Sequence, residues 1–106
     1  MTGFFLLSHQ PHSISAITVQ NTTRGPLPAG LVLARPQGSE SYVAHDRQGA
    51  AGIDVALGVM LDSVNGPGTF QTRAVLGDAR VHAALLSAVD PMIVANLSMV
   101  GIEVLG

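Results

Sequence analysis

The chain has 106 residues, 47% of them hydrophobic and 11% charged, with a formal net charge of -2. That length fits one domain with one modest core. The five cations are all arginines, scattered singly at Arg24, Arg35, Arg47, Arg73 and Arg80, so no basic patch is present to neutralise phosphates and direct nucleic-acid binding is disfavoured.

The absence of cysteine excludes a disulfide scaffold, a thiolate zinc site and cysteine catalysis. Stability must therefore come from packing or from oligomerisation. No stretch approaches the roughly 18 consecutive apolar residues of a membrane helix. The start, from Met1 to Leu7, lacks the positive region that opens a signal peptide.

In chain order, residues 1–25 read as an extended N-terminal arm and residues 26–106 as a body. The arm carries Pro11 and scattered Ser and Thr, and has little helical periodicity. Within it, Ser13, Ile14, Ser15, Ala16, Ile17, Thr18 and Val19 form a short β-prone run. Such a run could pair with the edge of another chain's sheet, or serve as an ordinary first strand of the body. Ile14 and Ile17 are an odd number of residues apart, so in a regular strand they face opposite sides.

Arg24-Gly25-Pro26-Leu27-Pro28-Ala29-Gly30 reads as a stiff hinge. Leu31–Arg35 and Ser41–His45 read as two strands of a hairpin, closed by a turn at Pro36–Ser39. Gln48–Gly52 reads as a loop. Val55–Leu61 reads as a buried strand, in which Gly58 marks a bulge or a close backbone approach. Asn65-Gly66-Pro67-Gly68 is the strongest turn signal in the chain.

Thr69–Gly77 is again β-like, Gly77-Asp78 makes a turn, and Ala79–His82 continues extended or begins a short helix. The one clear helix start is Asp90-Pro91, where Asp90 can cap the free amides and Pro91 fits the first helical position. Gly101 is placed to end that helix, and Ile102–Leu105 to close the chain as a strand. The expected fold is a β-rich α+β body, a small β-barrel or β-tulip, with one or two short helices and an extended N-terminal arm.

The residues that could carry chemistry favour bland readings. His9, His12, His45 and His82 are scattered and lack the spacing of a tetrahedral metal site. No Gly-x-Ser-x-Gly elbow marks a nucleophile. Gly66-Pro67-Gly68 is not a phosphate loop, because no Gly-Lys-Ser/Thr follows it. The carboxylates sit mostly at turns and element ends. The expectation is no catalytic residue, no metal, no cofactor and no enzyme. The residues alone leave open a structural part, or a small β-barrel ligand-binding or carrier module.

From Leu27 onward the order of motifs resembles the lambda-type bacteriophage head decoration family. Pro28-Ala29-Gly30 with Leu31-Val32-Leu33 is similar to that family's turn and first body strand. Tyr42-Val43-Ala44-His45-Asp46 is similar to its next strand. Ala56–Asp62, Arg73–Val81 and the closing Gly101-Ile102-Glu103-Val104 follow in the family's order.

The resemblance implies a structural, non-enzymatic virion protein on the outer surface of the capsid. It implies a homotrimer at local three-fold positions of the expanded head, with the major capsid protein as partner and neither nucleic acid nor membrane engaged. It implies that Ser13–Val19 carry the capsid contact and that the head is stabilised against packaged-DNA pressure. Apolar body positions outside the core, Leu85, Leu86, Val89 and Met92, are the candidate subunit contacts. The alternative virion role is a head–tail joining or tail protein.

Overall fold

The computed structural model describes residues 6–9, 13–22, 25–46, 55–87 and 89–105. Eight strands and one α-helix follow one another in these segments. The strands are β1 (Leu6–His9), β2 (Ile14–Asn21), β3 (Val32–Ala34), β4 (Val43–Ala44), β5 (Gly58–Met60), β6 (Gly68–Val75), β7 (Ala79–His82) and β8 (Ile102–Leu105). A single turn of 3-10 helix, Ala83–Leu85, and the helix α1 (Pro91–Met99) separate β7 from β8. The loop expected at Gln48–Gly52 lies outside the described residues.

The strands form two sheets. The larger runs in the order β2-β6-β5-β3-β4 and is antiparallel throughout. The smaller runs β1-β7-β8, with β7 and β8 parallel. A parallel pair needs a long crossover connection, and the 3-10 turn and α1 supply it. The expected β-rich α+β class is the observed one, with a single short α-helix and a larger sheet that curls into a half-barrel.

The short apolar runs of the sequence explain why the larger sheet is thick at its centre. Val32, Leu33 and Ala34 of β3 are all buried, as are Gly58, Val59 and Met60 of β5. Their successive side chains point to opposite faces, so both faces must be covered. One face packs with the smaller sheet and α1, where Val32, Val59, Val75, Val81, Ile93, Leu97 and Ile102 form one core cluster. The other lies inside the curl, where Ile17, Val19, Leu33, Met60 and Ala74 form a second, with Leu27 and Val64.

Gly58 is the close approach that the sequence indicates. A Cβ there would stand 2.6 Å from Leu76 Cδ2 and 2.8 Å from the Val75 carbonyl oxygen. The hairpin of β3 and β4 also forms, with Ala34 opposite Val43 and a bond from Ser39 N–H to the Pro36 carbonyl in the turn. Helix α1 starts at the cap, where Ile93 N–H donates to Asp90 Oδ1 at 2.8 Å. It stops before Gly101, whose φ of 89° is left-handed. The side-chain carbonyl of Asn96 accepts from Ala56 N–H at 3.1 Å and ties the helix to the segment that leads into β5.

The run from Ser13 to Asn21 has a definite place in this architecture. Ile14–Asn21 pairs with β6 over its whole length, from Ile14 opposite Val75 to Asn21 opposite Gly68. It is thus a strand of the larger sheet, continuous with residues assigned to the body. The Ile17 and Val19 side chains are committed to the inner core cluster. Ile14 is half-buried and packs against the other cluster, which is the opposite-side placement that its odd spacing demands.

Candidate functional site

The most distinctive feature outside the core is a seam in the larger sheet. The sheet curls until its far edge, at β4, returns to its first strand, β2. The two meet at a single parallel bridge between Val19 and Tyr42. There Tyr42 N–H donates to the Thr18 carbonyl and Gln20 N–H donates to the Tyr42 carbonyl, each at 2.8 Å.

Along a strand, backbone polar groups point alternately to either side. Thr18 and Gln20 point away from β6, so Ala16 and Ile14 point the same way. Beyond the Tyr42 bridge nothing meets them: the outward N–H and C=O groups of Ile14 and Ala16 have no partner among the described residues. Among the described residues the N-terminal half of β2 is therefore an open strand edge, the kind of surface on which an extended segment can add as a further strand.

Beside this edge runs an open groove of about 430 Å³, lined by Ser15, Ala16, Ile17, Thr18, Glu40, Tyr42, Gln71 and Leu76. Its walls differ in character. Tyr42 forms an aromatic rim, with the Arg35 guanidinium 5.8 Å from its ring centroid. Glu40 puts an exposed carboxylate on the same rim.

Ala16 is exposed and directly opposite Arg73 on β6. Arg73 grips Asp62 through two hydrogen bonds, Nε to Oδ2 at 2.6 Å and Nη2 to Oδ1 at 3.0 Å. The hydrogen bond from Arg73 to Asp62, and then their charge attraction, hold the guanidinium above its ordinary pKa. This exposed pair fixes opposite charges next to the open edge without filling it.

The candidate residues thus divide by role. Ser15, Ala16, Ile17 and Thr18 line the groove, and Ile14 and Ala16 supply its unpaired backbone. Ser13 is buried, and its hydroxyl donates to the Asp78 carbonyl at 2.8 Å, so it anchors the start of β2 to the turn before β7. Val19 reaches the seam through its backbone bridge while its side chain stays in the core. Glu40, Tyr42, Gln71 and Leu76 are additional groove residues. No local sequence signal marks them: the curl of the sheet brings Glu40 and Tyr42 beside β2, and the pairing of β6 with β2 brings Gln71 and Leu76.

The four apolar body positions differ in exposure. Leu86 is half-buried against the core, while Val89 and Met92 are 41% and 55% exposed. Leu85 lies in the 3-10 turn, and its side chain is outside the described residues. Met99, 86% exposed at the end of α1, is a further apolar surface residue. A second open groove, of about 330 Å³, lies between Val94 and Ser98 of α1 and the strand β8. Arg80 and Glu103 face each other across β7 and β8 at 3.5 Å, both largely exposed.

Among the described residues, no three His, Asp or Glu side chains gather where they could hold a metal ion. No helix of the described residues is long and apolar enough to cross a membrane.

Comparison with curated proteins gives no match. The family model described as bacteriophage lambda head decoration protein D matches residues 1–96. That match spans both sheets as far as the middle of α1, including the open edge of β2, the groove beside it and the hinge. The chain belongs to the bacteriophage lambda head decoration protein D family.

Proposed function

We propose that this capsid protein decorates the outside of an expanded phage head as a homotrimer at local three-fold positions. Each copy docks by pairing the open edge of β2 with an extended segment of the major capsid protein. The observation that carries the reading is the unpaired backbone of Ile14 and Ala16 beside an open groove. An added strand would satisfy those groups, and the groove leaves room for its side chains.

In this reading Ser15, Ala16, Ile17 and Thr18 meet the partner strand directly. Ser13 and Val19 hold β2 in place from either end. Contact between copies falls to the exposed Val89 and Met92, with Leu85 and Leu86 beside them in the chain. Three docking edges on one trimer make the second and third attachments intramolecular, so three modest strand pairings add up to a firm clamp. Binding that favours the expanded shell stabilises that shell by mass action, which opposes the pressure of packaged DNA.

Cosedimentation tests the proposal. Purified chain is mixed with expanded, undecorated heads and, separately, with unexpanded procapsids of the phage that encodes it. Saturable binding to expanded heads alone, with three copies at each local three-fold position, is the expected outcome. Equal binding to both shells, or binding to neither, overturns it.

A further inference from the structure

We propose that Asn65 is a site of self-catalysed deamidation, singled out by the fold from the chain's three asparagines, Asn21, Asn65 and Asn96. Asn65 is exposed, in the turn between the Leu27–Val64 bridge and β6. The next residue is glycine, whose backbone nitrogen no side chain shields. A Cβ placed on Gly66 would meet nothing within 4 Å. Neither the Asn65 side chain nor the Gly66 N–H has a hydrogen-bond partner among the described residues. Electrophile and nucleophile are adjacent, and neither is committed to another partner among the described residues.

The other two asparagines are held. Asn21 is buried, and its Nδ2 donates to the carbonyls of Gly25 and Gly66 at 2.9 and 2.6 Å. Asn96 lies in α1, where its side-chain oxygen accepts from Ala56 N–H. The helix fixes the backbone on its C-terminal side, at the buried Leu97. Both can react only through local opening, which lowers the rate by the fraction of time spent open.

The chemistry needs only water. The backbone nitrogen of Gly66 attacks Cγ of Asn65, and a nitrogen–carbon bond forms. The Cγ–Nδ2 bond breaks, and the nitrogen leaves as ammonia with the proton that Gly66 gives up. The result is a five-membered imide. Water then opens the ring at one of its two carbonyls. Opening at Cγ gives aspartate. Opening at the backbone carbonyl gives isoaspartate, with the main chain routed through the former side chain. Either product adds one negative charge to the formal net charge of -2. The rerouted form also lengthens the path into Gly66, whose carbonyl is an acceptor of the clamp from Asn21.

The test is incubation of the full folded chain at mildly alkaline pH. Ammonia release is followed, the peptides are mapped by mass, and isoaspartate is labelled with an isoaspartyl methyltransferase. Conversion at Asn65 is expected to run at least about tenfold ahead of Asn21 and Asn96, because those two wait for local opening. Asn65→Ser should abolish the fast acidic species. In urea the advantage over the other two should shrink to that of an Asn-Gly pair alone. A folded chain unchanged at Asn65, or one converted equally at Asn21, overturns the proposal.

Discussion

Ser13 is a small polar residue in a protein interior, and its hydroxyl has one clear task. It donates to the Asp78 carbonyl, sixty-five positions along the chain, and so joins the start of β2 to the turn that opens β7. Nearby, Leu76 N–H donates to the Ser13 carbonyl at 2.9 Å. Replacing Ser13 by Ala takes a donor away from the Asp78 carbonyl, at an expected cost of about 1–2 kcal/mol. Thermal unfolding should show this as a midpoint lowered by about 5–15 °C, with the far-UV spectrum unchanged.

At this scale the sequence was partly legible. Asp90 and Gly101 announced their roles through local backbone chemistry, and so did Gly58. Ser13 did not, because its partner is remote in sequence. The same holds for Asp62 and Arg73, eleven residues apart and joined only when β6 folds back over the end of β5.

The strand β2 carries the functional argument, and it does so through its backbone. The sequence marks Ser13–Val19 as β-prone and leaves its partner open. The fold pairs one edge with β6 and buries Ile17 and Val19, while among the described residues the other edge stays unpaired at Ile14 and Ala16. Ala16→Pro separates the two edges. Proline removes the outward N–H of Ala16 and leaves the β2–β6 ladder intact, which an edge strand tolerates. The variant should fold with little loss of stability. Its affinity for expanded heads should fall by about a hundredfold, from roughly one hydrogen bond of about 1 kcal/mol lost at each of three docking edges. Titrating heads with the purified variant checks this, and unchanged affinity would show that docking lies elsewhere.

What periodicity could not supply for β2 was its neighbour. A seven-residue β-prone run reads the same whether its partner is β6 or another protein, since both offer the same backbone groups. The hairpin of β3 and β4 was legible because its turn is local. The parallel pairing of β7 with β8 depends on α1 lying between them, and no residue of either strand encodes it.

For the whole molecule, the apolar groups left outside the core bear on assembly. Val89 and Met92 flank the start of α1, and both are exposed. The double substitution Val89→Asp with Met92→Asp should leave the fold intact. Exposed changes of this kind cost about 0.5 kcal/mol or less, and acidic groups suit a helix N-terminus. If these residues meet a second copy, two carboxylates per subunit will repel across the contact. Under the proposed trimeric assembly, sedimentation velocity should then show monomer for the variant and trimer for the unmodified chain, and decorated heads should lose the variant on dilution. A trimer that persists would place the contact on another face.

The larger sheet is a cylinder slit along one line and pinned there at Tyr42. A slit tube twists and flattens easily, whereas a closed one resists both, because its hoop of hydrogen bonds has no loose end. A strand laid into the slit from outside would complete the hoop. Linkage runs both ways, so the free energy that the proposed docking would lend to the shell would be lent equally to the fold of the decorating chain. A docked copy would then be harder to unfold than a free one, and the fastener would reach its full rigidity only by being fastened.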